Sequence, residues 1–418
     1  GNDTMRIGFI ATRLNGTDGV SLEVEKWAQV LQRLGHEIYY CAGELGGYAR
    51  GGSLIPELHF AHQSIFRLSK QAFESGDQVD VEQISDDIYL TADEIRAPLR
   101  SFIRKNKLDM IIVQNALTIP MNLPLGVSLT GLIAELGINT IAHHHDFFWE
   151  RQRYQTNTIL DLLDTTFPAK LPSIQHVTIN TIAQQRLKAR RKIDSIVIPN
   201  VLDFAVEAPQ IDDYNSDFRQ AVGLKKDELI ILQPTRVIRR KGIEMAIELV
   251  HRLNLAEPRL YITHRSDDEG LSYWLWLKRE ASVMGVQVQL IDHMVKPQRS
   301  MINGHKVYSL WDAYLNADLV TYPSEYEGFG NALLEAIFSR KLTVVNRYPV
   351  YNADIKPLGF EFIELDGFVD DASVEQARRL LADPGEVRRM AQINFEIARE
   401  YFSLEILERL LVDVMKNF

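Results

Sequence analysis

Short apolar runs alternate with helix-like patterns of apolar and polar residues along most of this chain. Residues 5–11 form the first apolar run, and residues from about 21 to 34 follow with apolar side chains three and four positions apart. Gly35 ends this pattern, and a second apolar run covers residues 36–41. Strand, helix and strand in this order predict a βαβ unit with parallel strands.

The same alternation continues through both halves of the chain. Apolar runs rich in β-branched residues lie at 109–115, 139–145, 175–181, 195–198, 229–235, 259–264, 287–292, 317–322 and 343–346. Residues 46–107 are less regular: two amphipathic helical patterns, near 61–74 and 92–105, flank an acidic stretch at 77–87, and no chemistry is evident there. The whole pattern predicts an α/β protein with parallel sheets.

The length of 418 residues exceeds what one hydrophobic core usually supports, so we expect two domains. Pro199 marks a crossover segment after the run at 195–198, and the boundary is placed near residue 203. We therefore expect an N-terminal domain at 1–203, a second domain at 204–395 and a terminal helical segment at 396–418.

The composition is that of an ordinary globular protein, with 46% hydrophobic and 24% charged residues. A formal net charge of −10 argues against nucleic acid as a partner and against broad attraction to anionic membranes. No apolar run reaches the length of a transmembrane span, so stable membrane insertion is not expected. Cys41 is the single cysteine, which excludes an intramolecular disulfide and favours a cytoplasmic location.

Residues 321–338 combine a strand, a glycine turn and the start of a helix. The apolar run ends at Pro323, and Gly328 and Gly330 form a turn that can approach a ligand closely because neither has a Cβ. From Asn331 the pattern becomes helical. Such a turn directs backbone N–H groups and the helix dipole at a bound anion, so the stretch predicts a phosphate site.

Two carboxylates bracket this turn. Glu327 precedes the helix, and Glu335 lies about one helical turn inside it. Acids at two levels, with an anion site between them, suit a ligand that has hydroxyls at both ends and phosphate in the middle, as a sugar nucleotide has. The alternative is that Glu327 is a solvated loop acid and Glu335 a surface residue of the helix.

The string from Glu327 to Glu335, Glu-Gly-Phe-Gly-Asn-Ala-Leu-Leu-Glu, resembles the Glu-x7-Glu motif of retaining glycosyltransferases of family 4. The resemblance implies the GT-B fold: two doubly wound Rossmann-like domains facing across a cleft, with a C-terminal helix that crosses back to the first domain. It also implies that Glu327 contacts the transferred sugar and that Glu335 holds the ribose. Backbone N–H groups of Phe329 to Asn331, with Gly328 and Gly330, would bind the phosphate or a sugar hydroxyl.

A basic turn follows the predicted strand at 229–235. Arg236 and Lys241, five positions apart at a strand-to-helix turn, can clamp a diphosphate and stabilise it as a leaving group. Their spacing is similar to the Arg-x4-Lys pair of the same family. Arg239 and Arg240 are interpreted as spare cations that face outward. A basic turn with only a solvent role is the alternative.

The loop after the first strand lacks the Gly-x-Gly-x-x-Gly pattern of dinucleotide sites, so a nicotinamide cofactor is disfavoured. Its Asp18-Gly19-Val20 resembles a Gly-Gly-Val element of family 4 that lies against the donor diphosphate. The resemblance assigns Gly19 to the donor site. An ordinary surface turn is the alternative.

The densest polar cluster of the N-terminal half follows the run at 139–145 and contains His143, His144, His145 and Asp146. Consecutive strand residues face opposite ways, so at most two of the histidines share a face, and a compact metal site is disfavoured. Packing inside the core is one alternative. The other, by resemblance to family 4, is a role near the reacting sugar, with His145 as the catalytic candidate. His144, Asp146 and Asn115 are then candidates on the acceptor side.

These features together predict a metal-independent glycosyltransferase without a cofactor. It would move a hexose, glucose or mannose, from a UDP or GDP sugar to a hydroxyl acceptor with retention at the anomeric carbon. His145, Arg236, Lys241 and Glu327 would be the catalytic residues, and a small soluble molecule or an oligosaccharide would be the acceptor. An epimerase or a phosphorylase on the same fold, or a binding subunit without catalysis, are the alternatives.

Overall fold

A computed structural model describes residues 4–16, 18–155, 157–267 and 270–418 of the chain. The chain forms two compact units. The first contains the residues up to Val201 together with Leu404–Phe418, and the second is Leu202–Ser403. Within the described residues, no helix is both long enough and apolar enough to cross a membrane.

The strands are short and mostly buried. They are β1 (Arg6–Ala11), β2 (Glu37–Ala42), β3 (Ser53–Leu54), β4 (Met110–Gln114), β5 (Asn139–His144), β6 (Ile174–Thr178), β7 (Ser195–Val197), β8 (Ile231–Gln233), β9 (Arg259–Ile262), β10 (Gln287–Leu290), β11 (Val295–Lys296), β12 (Ser300–Ile302), β13 (His305–Ser309), β14 (Leu319–Tyr322), β15 (Thr343–Asn346) and β16 (Ile363–Leu365).

The helices cover the faces of the sheets. They are α1 (Gly19–Arg33), α2 (Gln63–Phe73), α3 (Val81–Lys105), α4 (Leu123–Leu136), α5 (Leu160–Thr166), α6 (Thr181–Arg191), α7 (Phe218–Ala221), α8 (Ile243–Arg252), α9 (Leu271–Met284), α10 (Leu310–Asn316), α11 (Asn331–Phe338), α12 (Asp371–Leu381), α13 (Pro384–Tyr401) and α14 (Leu404–Met415).

The sheet of the first unit is parallel, and within the described residues its seven strands run in the order β3-β2-β1-β4-β5-β6-β7. The order reverses between β1 and β4, which makes the carboxyl ends of these two strands the expected place for a ligand. On one face, Trp27 and Leu31 of α1 pack in the same core as Leu407 and Leu411 of α14. The last helix of the chain is therefore part of the first unit.

The stretch at 77–87, interpreted from sequence as an acidic separator, belongs mostly to a helix. α3 starts at Val81, and the Asp80 side chain caps it by accepting a hydrogen bond from the backbone N–H of Gln83 at 3.2 Å. Ile84 and Ile88 are buried among neighbouring apolar side chains. The capping aspartate and the burial of these two isoleucines stabilise the helix in spite of its acidic composition.

The second unit has a parallel sheet in the order β10-β9-β8-β14-β15-β16, with its reversal between β8 and β14. Residues 292–306 supply most of a small separate sheet of β11, β13 and β12. Tyr214 fixes this sheet, since its hydroxyl donates to the Val307 carbonyl at 2.6 Å and its ring lies under the Arg299 guanidinium.

The loops that follow β8 and β14 touch at a glycine. Gly242 has a φ of +61°, and a Cβ there would lie 2.2 Å from the carbonyl oxygen of Pro323. A side chain at position 242 would therefore strain the backbone and also push the two loops apart.

Gly242→Ala should lower the free energy of unfolding by about 3 kcal/mol or more, because the positive φ and the steric clash both cost free energy. The matched control is Gly285→Ala, at a φ of +72° with nothing within 4 Å of the added Cβ. Its cost should be about 1 to 2 kcal/mol, from the backbone alone. Urea unfolding of both variants measures the difference, and equal losses would contradict the close approach of the loops.

Candidate active site

The polar residues of the second unit converge at the carboxyl edge of its sheet. Loops 234–242 and 323–330 follow β8 and β14, the two strands at the point of reversal. The next strand outward, β9, is followed by Thr263 and His264. Strand order thus brings together segments that are far apart in the chain.

A buried ion pair joins the first two loops. The Lys241 Nζ lies 2.5 Å from Oε1 of Glu327, and the Ser324 hydroxyl donates to the same oxygen at 2.9 Å. The Arg240 Nη1 lies 3.2 Å from the other oxygen, Oε2. Glu327 is 8% exposed and Lys241 is 9% exposed, so the pair is nearly closed to water.

The local charges keep this carboxylate ionised. Burial alone would raise the pKa of Glu327, but the charges of Lys241 and Arg240 and the hydrogen bonds from Lys241 and Ser324 lower it below its usual value. Burial lowers the pKa of Lys241, and the charge of Glu327 opposes that shift. Both groups are charged at neutral pH, because each is the counter-ion of the other.

Arg236 and Arg240 make different contacts in the loop after β8. Arg236 is exposed, and its Nη1 lies 3.7 Å from Oδ2 of Asp267 rather than beside Glu327. Arg240, interpreted as an outward-facing cation, contacts Glu327 and donates to the Tyr326 carbonyl at 3.3 Å. Arg240 is exposed, as expected of an outward-facing cation, but it also pairs with Glu327, and nothing in the sequence separates it from Arg239.

The glycine turn has the geometry that its sequence predicts. Gly330 has a φ of +140°, and a Cβ there would lie 2.5 Å from the Tyr348 hydroxyl. That hydroxyl donates to the Phe329 carbonyl at 2.6 Å, which fixes the turn from behind. The helix α11 begins at Asn331, and Gly328 lies at the other end of the turn.

Glu335 lies one turn into α11 and is half-buried. Its Oε1 accepts a hydrogen bond from the Tyr314 hydroxyl at 3.4 Å, and the same hydroxyl lies 3.3 Å from the Ala332 carbonyl. Glu327 and Glu335 therefore lie before and inside the same short helix, as the motif requires.

His264 is a residue that sequence reasoning missed. It directly follows Thr263 at the carboxyl edge, and its Nδ1 lies 2.6 Å from the Thr263 hydroxyl. Partial loss of solvent around the ring lowers its pKa, and the nearby positive charge of Arg236 lowers it further. A histidine at the end of a strand was the available signal, but its relevance depends on β9 lying beside β8.

In the first unit, Asn115 links the ends of β4 and β5. It has a left-handed backbone, with a φ of +59°. Its side-chain oxygen accepts from the backbone N–H of His145 at 3.1 Å, and its amide group donates to Oδ1 of Asp146 at 3.2 Å. Arg151 Nε lies 2.5 Å from the other oxygen of Asp146. Asn115, His145 and Asp146 thus form one hydrogen-bonded group at this edge.

The histidines alternate in direction, as expected for consecutive strand residues. The rings of His143 and His145 are 4.3 Å apart, and His143 also stacks on Trp27 at 4.0 Å. His145 is half-buried, and its Nε2 lies 3.0 Å from the side-chain oxygen of Gln114. Burial lowers the pKa of His145 to about 4, so the ring is neutral at pH 7.

His144 points to the other side of the sheet. It is 1% exposed, with Nδ1 hydrogen-bonded to the Thr118 hydroxyl and Nε2 2.9 Å from Nδ1 of His176. Burial lowers its pKa well below the usual value. The structure therefore does not bring His144 to the group that contains Asn115, His145 and Asp146.

Gly19 is the first residue of α1, after the loop that follows β1. Asp18 caps this helix, since its Oδ1 accepts from the Ser21 backbone N–H at 3.0 Å. Thr17, in the same loop, lies outside the described residues. Across the described part of the chain, no three His, Cys, Asp or Glu side chains converge in a way that could hold a metal ion.

Comparison with known proteins identifies the class. Residues 215–396, within the second unit, match the family model described as Glycosyl transferases group 1. A mannosylglucosylglycerate synthase of Petrotoga mobilis is 33% identical over 434 residues, covering 99% of this chain and 98% of that protein. Another, from Thermotoga maritima, is 34% identical over 439 residues, covering 97% of this chain and 99% of that protein.

The fold agrees with this class. A crystal structure of a glycosyltransferase from Rickettsia africae superposes with a TM-score of 0.67 at 14% identity, covering 100% of both chains. The chain therefore belongs to the group 1 glycosyltransferases, in the family that includes the mannosylglucosylglycerate synthases. The prediction of a GT-B transferase that takes a hexose from a nucleotide sugar is confirmed at this level. Retention at the anomeric carbon stays a prediction.

Burial lowers the pKa furthest at four histidines of the first unit, either well below the usual value or to about 4: His143, His144, His145 and His176. The unfolded chain takes up protons near pH 6.5, whereas these folded groups do so only at lower pH. The free energy of unfolding should therefore fall as pH drops from about 6.5 towards 4, by about 1.4 kcal/mol per pH unit for each histidine.

Denaturant unfolding between pH 7 and pH 5 measures this slope. His176→Gln should reduce the slope of the free energy of unfolding against pH by the contribution of one histidine. His251→Gln, at an exposed position, serves as the control. A slope that His176→Gln leaves unchanged would show that His176 titrates alike in both states.

Proposed function

We propose that this protein is a retaining, metal-independent mannosyltransferase whose donor is a nucleoside diphosphate mannose and whose acceptor is glucosylglycerate. The relatives at 33 and 34% identity are named for a product that contains mannosyl, glucosyl and glycerate units. Adding the mannosyl unit to glucosylglycerate would give that product. The observation that carries the proposal is the Lys241–Glu327 pair beside the glycine turn of α11.

The second unit supplies the groups that a diphosphate needs. The N–H groups at the start of α11 and the cations Lys241 and Arg236 lie on the loops at the carboxyl ends of β8 and β14. Their positive charge would stabilise the negative charge that develops on the departing nucleoside diphosphate. The assignment of Gly19, at the N-terminus of α1, to donor binding stays a prediction. Glu335 would hold the ribose hydroxyls.

Glu327 suits sugar binding better than nucleophilic attack. Two cations contact its carboxylate, and its pKa is below the usual value, so its oxygens are weakly basic. It can still accept a hydrogen bond from a sugar hydroxyl. Without a free carboxylate nucleophile, retention would follow from attack on the same face, with the leaving phosphate helping to take the acceptor proton.

The same cations support independence of metal. In many transferases a divalent ion neutralises the leaving diphosphate, and here Arg236 and Lys241 can perform that task. We therefore expect full transferase activity in the presence of EDTA.

The first unit would bind the acceptor. His145 is neutral at pH 7, so one ring nitrogen can donate while the other accepts. Gln114 contacts its ring through Nε2, Asn115 accepts from its backbone N–H, and Asp146 offers a further polar group. Residues 1–203 would thus choose the acceptor, and residues 204–395 the donor.

The direct test is a transfer assay with GDP-mannose, UDP-mannose, GDP-glucose and UDP-glucose against glucosylglycerate, with and without EDTA. We expect one mannose donor to give a product whose new anomeric bond, read by NMR, has the configuration of the donor. Turnover without an acceptor would indicate an epimerase, and a requirement for phosphate would indicate a phosphorylase. Binding without turnover under any condition would indicate a binding subunit, and each of these outcomes would overturn the proposal.

Two substitutions should separate the roles in the second unit. Lys241→Met should lower kcat by about 100-fold or more, because it removes a charge that acts on the leaving group. Glu335→Gln should mainly raise the donor KM, by about tenfold, because it weakens hydrogen bonds to the ribose. Glu325→Gln, at an exposed acid of the same loop as Glu327, is the control. Equal effects of Lys241→Met and Glu325→Gln would contradict these assignments.

A further inference from the structure

The two oxygens of Glu327 have different partners. Oε1 accepts from Lys241 Nζ at 2.5 Å and from the Ser324 hydroxyl at 2.9 Å, which occupies both of its lone-pair directions. Oε2 is the oxygen next to Arg240, at 3.2 Å from Nη1. The Tyr322 hydroxyl also hydrogen-bonds to the Glu327 carboxylate, and Arg240 is the cation that contacts Oε2.

Arg240 is itself held at two points. Its backbone carbonyl accepts from the Glu325 N–H at 2.8 Å, and its Nη1 donates to the Tyr326 carbonyl at 3.3 Å. Both contacts are with the loop that carries Glu327. The guanidinium thus ties the loop after β8 to the loop after β14 directly beside the carboxylate.

The neighbouring arginines provide the contrast. Arg239 is exposed and makes no ion pair with any residue that the structure describes. Arg236 pairs with Asp267 at 3.7 Å. Of the three arginines in this turn, Arg240 is the one whose geometry is tied to Glu327.

We propose that Arg240 is a positioning residue that holds Oε2 of Glu327 towards the hexose, so that it determines recognition of the sugar rather than of the nucleotide. The inference rests on the proposed function, in which Glu327 contacts the transferred sugar. Without Arg240, the carboxylate keeps its bonds through Oε1 but can rotate about them. A hydroxyl that needs Oε2 in a fixed place then loses its partner for part of the time.

The test compares the nucleotide with its sugar conjugate. GDP and GDP-mannose are titrated by calorimetry into wild type, Arg240→Gln and Arg239→Gln, or UDP and UDP-mannose if the wild type uses that donor. We expect Arg240→Gln to weaken binding of the mannose conjugate by about tenfold, the scale of one charge-assisted hydrogen bond. Binding of the nucleoside diphosphate should change by less than about twofold. Arg239→Gln, the matched control, should leave both affinities at the wild-type values.

Kinetics provide a second readout. Arg240→Gln should raise the donor KM and leave the acceptor KM unchanged, and Arg240→Lys should restore part of the lost affinity because it keeps a cation near Oε2. If Arg240 had only a structural role, Arg240→Gln would instead lower the stability of the protein and change the KM of both substrates alike. Retained binding of the nucleoside diphosphate shows that the variant is folded.

The outcomes are separable. If Arg240→Gln weakens binding of the nucleoside diphosphate as much as binding of its mannose conjugate, Arg240 acts on the phosphates and the inference fails. If it weakens neither, Arg240 has no role in donor binding and the inference also fails. If the wild type binds none of the mannose conjugates, the proposed function fails first, whatever the variants do.

Discussion

The buried pair of Lys241 and Glu327 is the interaction on which the candidate donor site depends. Taking two charges out of water is costly, and the cost is offset only when both charges are well hydrogen-bonded. The carboxylate meets this condition with a lysine and a serine on one oxygen and Arg240 at the other. Because its partners come from two loops, satisfying one carboxylate also fixes how the loops after β8 and β14 meet.

The topology of the sheet makes that meeting possible. β8 and β14 are neighbours at the point where the strand order reverses, so the loops at their carboxyl ends share one edge. Gly242 lets the backbone of one loop approach the other, and Gly330 makes room for the Tyr348 hydroxyl behind the turn. The fold brings the loops together, the glycines allow close contact, and the ion pair fixes the final geometry.

The sequence predicted most strands of both parallel sheets, because a strand buried on both faces is visible as a continuous apolar run. The short edge strands β3 and β16 are too brief for such a pattern. Lys241 and Glu327 could be predicted because each belongs to a motif of consecutive residues. Arg240 could not be distinguished from Arg239, since a single 3-10 turn has no repeating pattern to show which side chain contacts Glu327. The place of His264 depends on strand order, which local sequence does not contain.

Buried polar side chains are neutral at the edge of one sheet and charged at the edge of the other. Around His145, apolar and aromatic neighbours such as Trp27 and His143 leave the rings without a counter-ion close enough to keep them charged, so burial makes them neutral. Around Glu327, cations at hydrogen-bonding distance keep a carboxylate charged although it is buried. A neutral polar edge suits uncharged hydroxyls, and an edge with excess positive charge suits a diphosphate. The proposed division of acceptor and donor binding between the two units would therefore follow from which buried groups are given a counter-charge.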